Sequence, residues 1–476
     1  MTEKKALLIS AERSTFQGAL WGAHDRELPL NVAYLAAFLE FEGFGADALD
    51  LQLQLDADAA LRGMNFSRYF IFGLSANLSG AYAAYRTADL LKKLAPGIPI
   101  ALFGAASVLK SIALNECESI DYVILNEEET TFRELAARTA SGGDVSDVRG
   151  LAHRRGNNPI ENPQREYLRD LDSLPFPARH KFDVKQYFPS PGKYKLMPQF
   201  TMLSSRGCNG DCLFCPRLTG KGMRFRSAGN IMAEIDMLIC DYRAREIFFV
   251  DDTFTADRER VMAFAELAAG RKIAFRVASR VDMVDEEMLA ALKRAGLYSI
   301  GYGIESGADE ILKINRKGVN TQQIRKAVET TKKLGLEARG FFMLNMAGDT
   351  RETTEKTIAF MASLPLDLVN VQITYPWPNS AMRQYVADKG LAINNEKWND
   401  WTRCRGDEAV FTQNDLDADY LVETYKRVVR NFYMNPRFIL KWLSRIRTYH
   451  DFKYAFLQFL ALAKSVVGGR AGAKTD

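Results

Sequence analysis

Twice along this chain, short apolar runs alternate with amphipathic helical stretches, and few folds accommodate such an alternation. In the first stretch, segments 6–9, 69–75, 98–104 and 122–125 read as buried strands. Segments 30–42, 81–94 and 130–140 carry helical periodicity, with Val32, Leu35, Ala36 and Leu39 on one face of the first. Strands that alternate with helices build a parallel sheet covered on both faces, whose ligands sit at the carboxyl ends of the strands. In the second stretch the strand candidates are 200–204, 246–250, 273–278, 299–303, 340–344 and 368–373, with helical patterns at 230–242, 285–295 and 321–334 among them. Six such units make a partial barrel with its functional residues at the C-terminal strand ends. Between the two stretches lie Gly142-Gly143, Gly156-Asn-Asn-Pro159 and Pro175-Phe-Pro177, which read as a wrapping linker. The expected fold is α/β: a doubly wound, Rossmann-like domain over 1–145, a linker over 146–195, a partial (β/α)6 TIM-type barrel over 196–395 and a helical, basic C-terminal region over 396–476.

Composition narrows the function. With 47% hydrophobic and 26% charged residues, the 476-residue chain reads as globular, and a net charge of +4 is too small to point to nucleic acid. No apolar run approaches the length of a membrane span. Met1-Thr-Glu-Lys-Lys leads straight into a strand-like run, so no leader is expected and a cytoplasmic location is. Of six cysteines, Cys117, Cys240 and Cys404 are scattered, whereas the other three fall within eight residues. That usage suits a metal in a reducing compartment better than a disulfide framework.

Those three form Cys208-Asn-Gly-Asp-Cys212-Leu-Phe-Cys215, a C-x3-C-x2-C loop directly after the strand 200–204. Three thiolates from one tight loop can ligate three irons of a cubane and leave the fourth open to a substrate or cofactor; four would close it. Gly207 and Gly210 relieve the backbone around the cluster. A zinc site would want a fourth protein ligand, and His180 and Cys240 are the nearest in sequence.

The loop, with aromatic Phe214 just before the third cysteine, resembles the defining motif of the radical S-adenosylmethionine (SAM) superfamily. The resemblance implies a [4Fe–4S] cluster on Cys208, Cys212 and Cys215, with SAM on the unique iron. One-electron reduction, from a flavodoxin- or ferredoxin-type partner, then yields a 5′-deoxyadenosyl radical. Further segments match at the expected strand ends: Phe248-Phe-Val-Asp-Asp252-Thr-Phe254, Ser279-Arg280-Val281-Asp282, Gly303-Ile-Glu305-Ser306-Gly307 and Arg339. By this resemblance Phe214, Asp251, Asp252, Ser279, Arg280, Glu305, Ser306 and Arg339 are the candidate SAM contacts.

A doubly wound domain ahead of such a barrel resembles the B12-binding subclass, through the segment 28–37, Gly73-Leu-Ser75, Phe103-Gly-Ala105 and the segment 122–129. Small residues after strands let a large flat ring approach the backbone. By this resemblance Ser75, Gly104, Ala105 and Glu127 are the candidate cobalamin contacts. The chain departs from the subclass pattern at Ala105 and Asn31, where glycines are usual, and at Asn126–Glu129. It has no D-x-H-x-x-G, so no histidine is supplied beneath cobalt by that motif, and His24 is the one histidine near the first strand.

The tail is basic: from Tyr425 to Asp476 there are eleven Lys and Arg against two Asp. Its Phe, Trp and Leu residues fall at helical spacing, which suits helices packed on the barrel or an interfacial segment on anionic lipid using Phe438, Leu440, Trp442, Phe456 and Phe459. The expected function is a cobalamin-dependent radical SAM C-methyltransferase acting on a small-molecule or lipid substrate, with Tyr375 and Trp377 lining the substrate pocket. The alternatives are a radical SAM enzyme that cyclises, rearranges or desaturates without methyl transfer, and a non-catalytic Fe–S carrier or scaffold.

Overall fold

The computed structural model describes residues 5–11, 26–77, 80–189, 193–393 and 409–443, with 446, 452, 453 and 456 beyond them. His24, Cys404, Phe459 and most of the basic tail lie outside these.

The N-terminal domain has β1 (Lys5–Ser10), β2 (Ala46–Asp50), β3 (Tyr69–Ser75), β4 (Ile100–Phe103), β5 (Tyr122–Ile124), β6 (Leu151–Arg155) and β7 (Asn158–Glu161) in one sheet of order β2-β1-β3-β4-β5-β6-β7. The first five strands are parallel. Their side chains alternate between two apolar layers. Phe72, Leu74 and Leu102 pack with Ala84, Ala88 and Leu91 of the helix Ala81–Leu94. Leu8, Ile71 and Phe103 pack with Val32 and Leu35 of the helix Leu30–Phe41 and Phe132 of the helix Glu128–Ser141. Strand order reverses between β1 and β3, which opens the ligand crevice of such sheets above those two strands.

The expected linker begins later than its turn-rich composition suggests. β6 and β7 form a hairpin around Gly156 that extends the sheet antiparallel to β5, pairing Tyr122 with His153. Leu151 and Ala152 are fully buried, so the run belongs to the domain and not to a linker. The later part of the segment does wrap between domains: Lys181 donates to the Ala46 carbonyl, Tyr187 to Asp50, and Arg179 to the Thr201 carbonyl.

The second domain contains β8 (Gln199–Met202), a small ribbon of β9 (Ser205–Arg206) and β10 (Arg224–Phe225), then β11 (Glu246–Phe249), β12 (Ala274–Ser279), β13 (Leu297–Glu305), β14 (Glu337–Leu344) and β15 (Leu368–Ile373). Six of these form a parallel sheet of order β15-β14-β13-β12-β11-β8. Outward residues such as Phe275, Ile300 and Phe342 enter the core under the helices. Inward residues include Arg276 and Ala278 on β12, Ser299 and Gly301 on β13, and Arg339, Phe341 and Met343 on β14. Small side chains on β13 leave the interior partly empty, in a cavity of ≈ 370 Å³.

The helix Ala418–Tyr433 packs on β15 and closes one side of this cavity with Tyr425, Val429 and Tyr433. The start of the tail is therefore structural. Phe438, offered above for membrane insertion, instead packs edge-on against Tyr433 at 4.8 Å between ring centroids. Leu440 and Phe456 are exposed. Among the described residues no helix is long and apolar enough to cross a membrane.

The two domains meet through ions withdrawn from water. Arg206, 9% exposed, makes a two-pronged contact with Glu129, 2.6 and 3.2 Å, and a third at 3.2 Å with Glu127. Burial alone would raise the Glu129 pKa, but the guanidinium holds it below the ordinary carboxylate range. Arg226 and Arg179 similarly flank the buried Glu234. Breaking one partner of such a pair leaves a charge without compensation, so Arg206→Met is expected to cost about 3–5 kcal/mol. Chemical denaturation should show that loss, and Arg206→Met with Glu129→Gln should recover much of it. An unchanged midpoint in the single variant would refute the ion pair as the domain clamp.

Candidate active site

The strand β8 ends under a loop that cannot stay extended. Gly207 has φ +91°, and a Cβ there would lie 2.0 Å from the Gly222 carbonyl oxygen, so only glycine lets the chain turn. Cys208 follows, its N–H donating to the Gly220 carbonyl. The Gly210 N–H points at the Cys208 sulfur at 3.3 Å and the Arg217 N–H at the Cys215 sulfur at 3.4 Å. Leu213 anchors the loop from both sides, donating to the Asn315 carbonyl and accepting from the Met382 N–H. Phe214 packs into two apolar groups, one with Phe411 and Tyr375 and one with Ile311 and Met343.

Cys212 is buried and Cys208 and Cys215 are half-buried. Burial pushes the Cys215 thiol up to about 11 and raises that of Cys212, which Lys317 and Arg280 pull back down. Among the described residues no three His, Cys, Asp or Glu side chains converge as a single ion requires. A cubane needs a different arrangement, one thiolate for each of three corner irons. Three thiols on one loop, near backbone N–H groups and two cations, fit that group.

Lys317 was not singled out by sequence reasoning, because a lysine in the polar turn Asn315-Arg-Lys-Gly318 reads as solvent-facing. It is 6% exposed and donates to Glu305 at 2.9 Å. Burial opposes its charge, yet Glu305 holds its pKa above the ordinary value. Glu305 sits at φ +68°, directly after a register shift in β13. A non-glycine residue held there is a local strain that surrounding contacts must maintain. Arg280 reaches the same place, making a two-pronged contact with Asp282 and donating to the Lys317 carbonyl at 2.8 Å.

The other candidates separate by burial. Asp251 is 3% exposed and accepts from the backbone N–H and hydroxyl of both Ser204 and Ser205, which fixes the strand ahead of the cysteines. Asp252 is exposed at the rim, accepts from Thr219, and lies near enough to Cys215 to raise its pKa. Of the two acids, Asp252 is therefore the one that faces the cysteines. Ser279 bonds with Thr255, and Ser306 with Thr357, both inside the protein. Arg339 lies away from this group, low on β14, donating to Ser299 at 2.8 Å.

On the N-terminal domain, Ser75 and Gly104 end neighbouring strands, and Ala105 follows. Gly104 has φ +82°, and a Cβ there would meet Asn31, Ala76 and Ser75 at 2.7–3.2 Å. The Asn31 amide donates to the Ser75 hydroxyl at 2.7 Å. Glu127 is held elsewhere: one oxygen meets Arg206 and Arg224, and the other accepts from the Leu168 N–H at 2.8 Å. The sequence pattern could not show this, since its partners come from the other domain and the linker. Tyr375 and Trp377 stack at 5.5 Å, and Trp377 packs both against the buried core of the first domain, which Ala105 also borders, and with the apolar group that holds Leu213 and Phe214.

Residues 202–361 match the sequence family described as the Radical SAM superfamily. This chain carries a radical SAM domain. An uncharacterized methyltransferase of Pyrococcus horikoshii is 28% identical over 376 residues, covering 78% of this chain and 80% of its own length. The anaerobic magnesium-protoporphyrin IX monomethyl ester cyclase of Rubrivivax gelatinosus is 25% identical over 425 residues, covering 86% and 74%. Among solved structures, the radical S-adenosylmethionine methyltransferase TsrM of Kitasatospora setae, with cobalamin and a [4Fe–4S] cluster bound, superposes with a TM-score of 0.70 at 16% identity, covering 91% and 90%. At that identity the likeness extends to the two-domain fold.

Two outcomes are expected here. Anaerobically reconstituted protein should bind about four irons, and Cys208→Ala, Cys212→Ala or Cys215→Ala should remove the cluster absorbance while Cys117→Ala and Cys240→Ala retain it. A scattered cysteine proving as necessary as the three would overturn the ligand assignment. Lys317→Met leaves Glu305 buried without its cation and should cost about 3–5 kcal/mol. Thermal melts should show it, and equal stability would mean that Glu305 is not held by Lys317.

Proposed function

We propose that the chain is a cobalamin-dependent radical SAM C-methyltransferase acting on a small molecule at an unactivated carbon. The observation that carries this reading is Trp377. It lines the barrel cavity and also packs against the buried core of the first domain, a core that Ala105, next to Gly104, borders too. Met343, which lines the same cavity, shares an apolar group with Phe214 of the cysteine loop, so in this reading the cavity lies between that loop and the small-residue ledge of the first domain. A hydrogen-abstracting radical and a methyl carrier must act on one substrate carbon, so both have to face one cavity.

When bound, the cluster and SAM supply a carbon-centred radical and cobalamin a transferable methyl group. The protein's own contributions are positional. Cys208, Cys212 and Cys215 would hold the cluster; Asp252, Arg280 and Glu305 are placed beside it for the polar groups of SAM. Ser75, Gly104 and Ala105 form a ledge on which a flat ring can lie, and a Cβ at Gly104 would intrude on it. Among the described residues the histidines are His153, on β6, and His180, beside Glu40, so neither ends a strand at the ledge. Stacked Tyr375 and Trp377 exclude water from the reacting carbon. The reductant is proposed to be a flavodoxin- or ferredoxin-type protein. A cytoplasmic location is proposed as well, with peripheral membrane contact through exposed Leu440, Phe452 and Phe456.

The cyclase relative makes ring closure the second reading. Incubation with methyl-labelled SAM, reductant and cobalamin should give labelled product heavier by one CH2 and 5′-deoxyadenosine. A product lighter by two hydrogens, without label, would favour cyclisation or desaturation. Absence of SAM cleavage by the loaded wild type would defeat both.

A further inference from the structure

The floor of the barrel cavity holds a cation two of whose nitrogens find no hydrogen-bond acceptor among the described residues. Arg276 is 7% exposed, and its Nε and Nη2 lack hydrogen-bond partners. Its guanidinium carbon lies 3.3 Å from the Phe248 ring centroid, and Nε and Nη2 together form the one edge left without a hydrogen bond. The nearest acid is Glu246, at 4.0 Å. That carboxylate is already committed: one oxygen accepts from the Tyr298 hydroxyl at 2.7 Å, the other from the N–H groups of Lys195 and Leu196 at 2.7 Å. Burial, reinforced by Arg339, pulls the Arg276 pKa down to about 10, still charged at neutral pH.

The surroundings add to this charge. Arg339 and Lys193 line the same cavity, with Glu27 the one carboxylate among its lining residues. Arg276 pairs in register with Ser299, which accepts from Arg339, so one serine links the two arginines although Arg339 itself pairs with Gly301 two residues farther along β13. Apolar Phe248, Phe341 and Tyr375 form the walls above. A buried, unmatched guanidinium costs several kcal/mol and persists where a ligand completes it. Planar guanidinium edges match two-oxygen anions best.

We propose that the barrel floor is a substrate subsite, in which Arg276 and Arg339 take the oxyanion, a carboxylate or phosphoryl group, of a small molecule whose apolar body lies against Phe248 and Phe341. The subsite rests on the enzymatic reading above and adds the chemical class of the substrate. It is separate from the cysteine loop, where Arg280 is the adjacent arginine.

Calorimetric titration of the reconstituted full chain with phenylphosphonate, benzoate and benzyl alcohol tests it. At least one oxyanion should bind, with the neutral alcohol about tenfold weaker or worse, and the stronger of the two acids identifies the head group. Arg276→Met should weaken that binding about 10- to 100-fold, as should Arg339→Met, because each removes charge-assisted hydrogen bonds. Binding should persist in saturating SAM. The subsite is refuted by equal affinity for benzyl alcohol, by unchanged affinity in folded Arg276→Met, or by displacement with SAM, which would assign the arginines to the cofactor. The wild-type arms decide even if both variants fail to fold. Failure of SAM cleavage with intact anion binding would defeat the enzymatic reading alone; cleavage with no preference for the anion would defeat the subsite alone.

Discussion

Arg206 has almost no access to water, and the carboxylates that match it lock one domain to the other. Arg206 stands at the end of the β9–β10 ribbon, two residues before the first cysteine, and its partners Glu129 and Glu127 come from the end of β5 and the helix after it. The acids that follow the first domain's last parallel strand thus fix where the cysteine loop begins. Arg224, from the other strand of the ribbon, meets Glu127 as well and lies over the Tyr167 ring of the linker. Neither domain can shift here without exposing or orphaning these charges.

Around the cysteines, electrostatics and backbone strain act together. Burial disfavours thiolates, and Lys317 and Arg280 counter it for Cys212. Lys317 in turn is kept charged by Glu305, whose left-handed backbone conformation is imposed by the bulge at the end of β13. The acid, the lysine and the thiols therefore form one coupled set. Asp251 plays no part in it: its four hydrogen bonds hold Ser204 and Ser205, and it stabilises the strand end that launches the loop.

Inside the barrel, what is missing matters as much as what is present. Ser299 and Gly301 on β13 withhold the side chains that would fill a closed barrel, and the helix Ala418–Tyr433 covers the β15 side with tyrosines. The result is an amphipathic chamber, aromatic in its walls and cationic at its floor. Such a chamber suits a small molecule held by an anionic end while an unactivated carbon is presented near Trp377.

The sequence by itself determined the two βα series, since buried parallel strands need continuous apolar runs and their helices need an apolar stripe. All six principal barrel strands fall at the expected segments, and the spacing of Cys208, Cys212 and Cys215 after β8 marks the candidate cluster loop without any tertiary information. It did not reveal the β6–β7 hairpin, whose Gly-Asn-Asn-Pro turn has the composition of a linker. It could not separate Asp251 from Asp252, because they are adjacent in the loop after β11 and only packing tells which of them is enclosed. Tertiary structure alone decided the roles of Lys317, Arg276 and Glu127. Each is an ordinary charged residue in its own segment, and each acquires its role from what another segment brings within hydrogen-bond reach or leaves unpaired: Glu305 for Lys317, Arg206 and Arg224 for Glu127, and a committed Glu246 for Arg276.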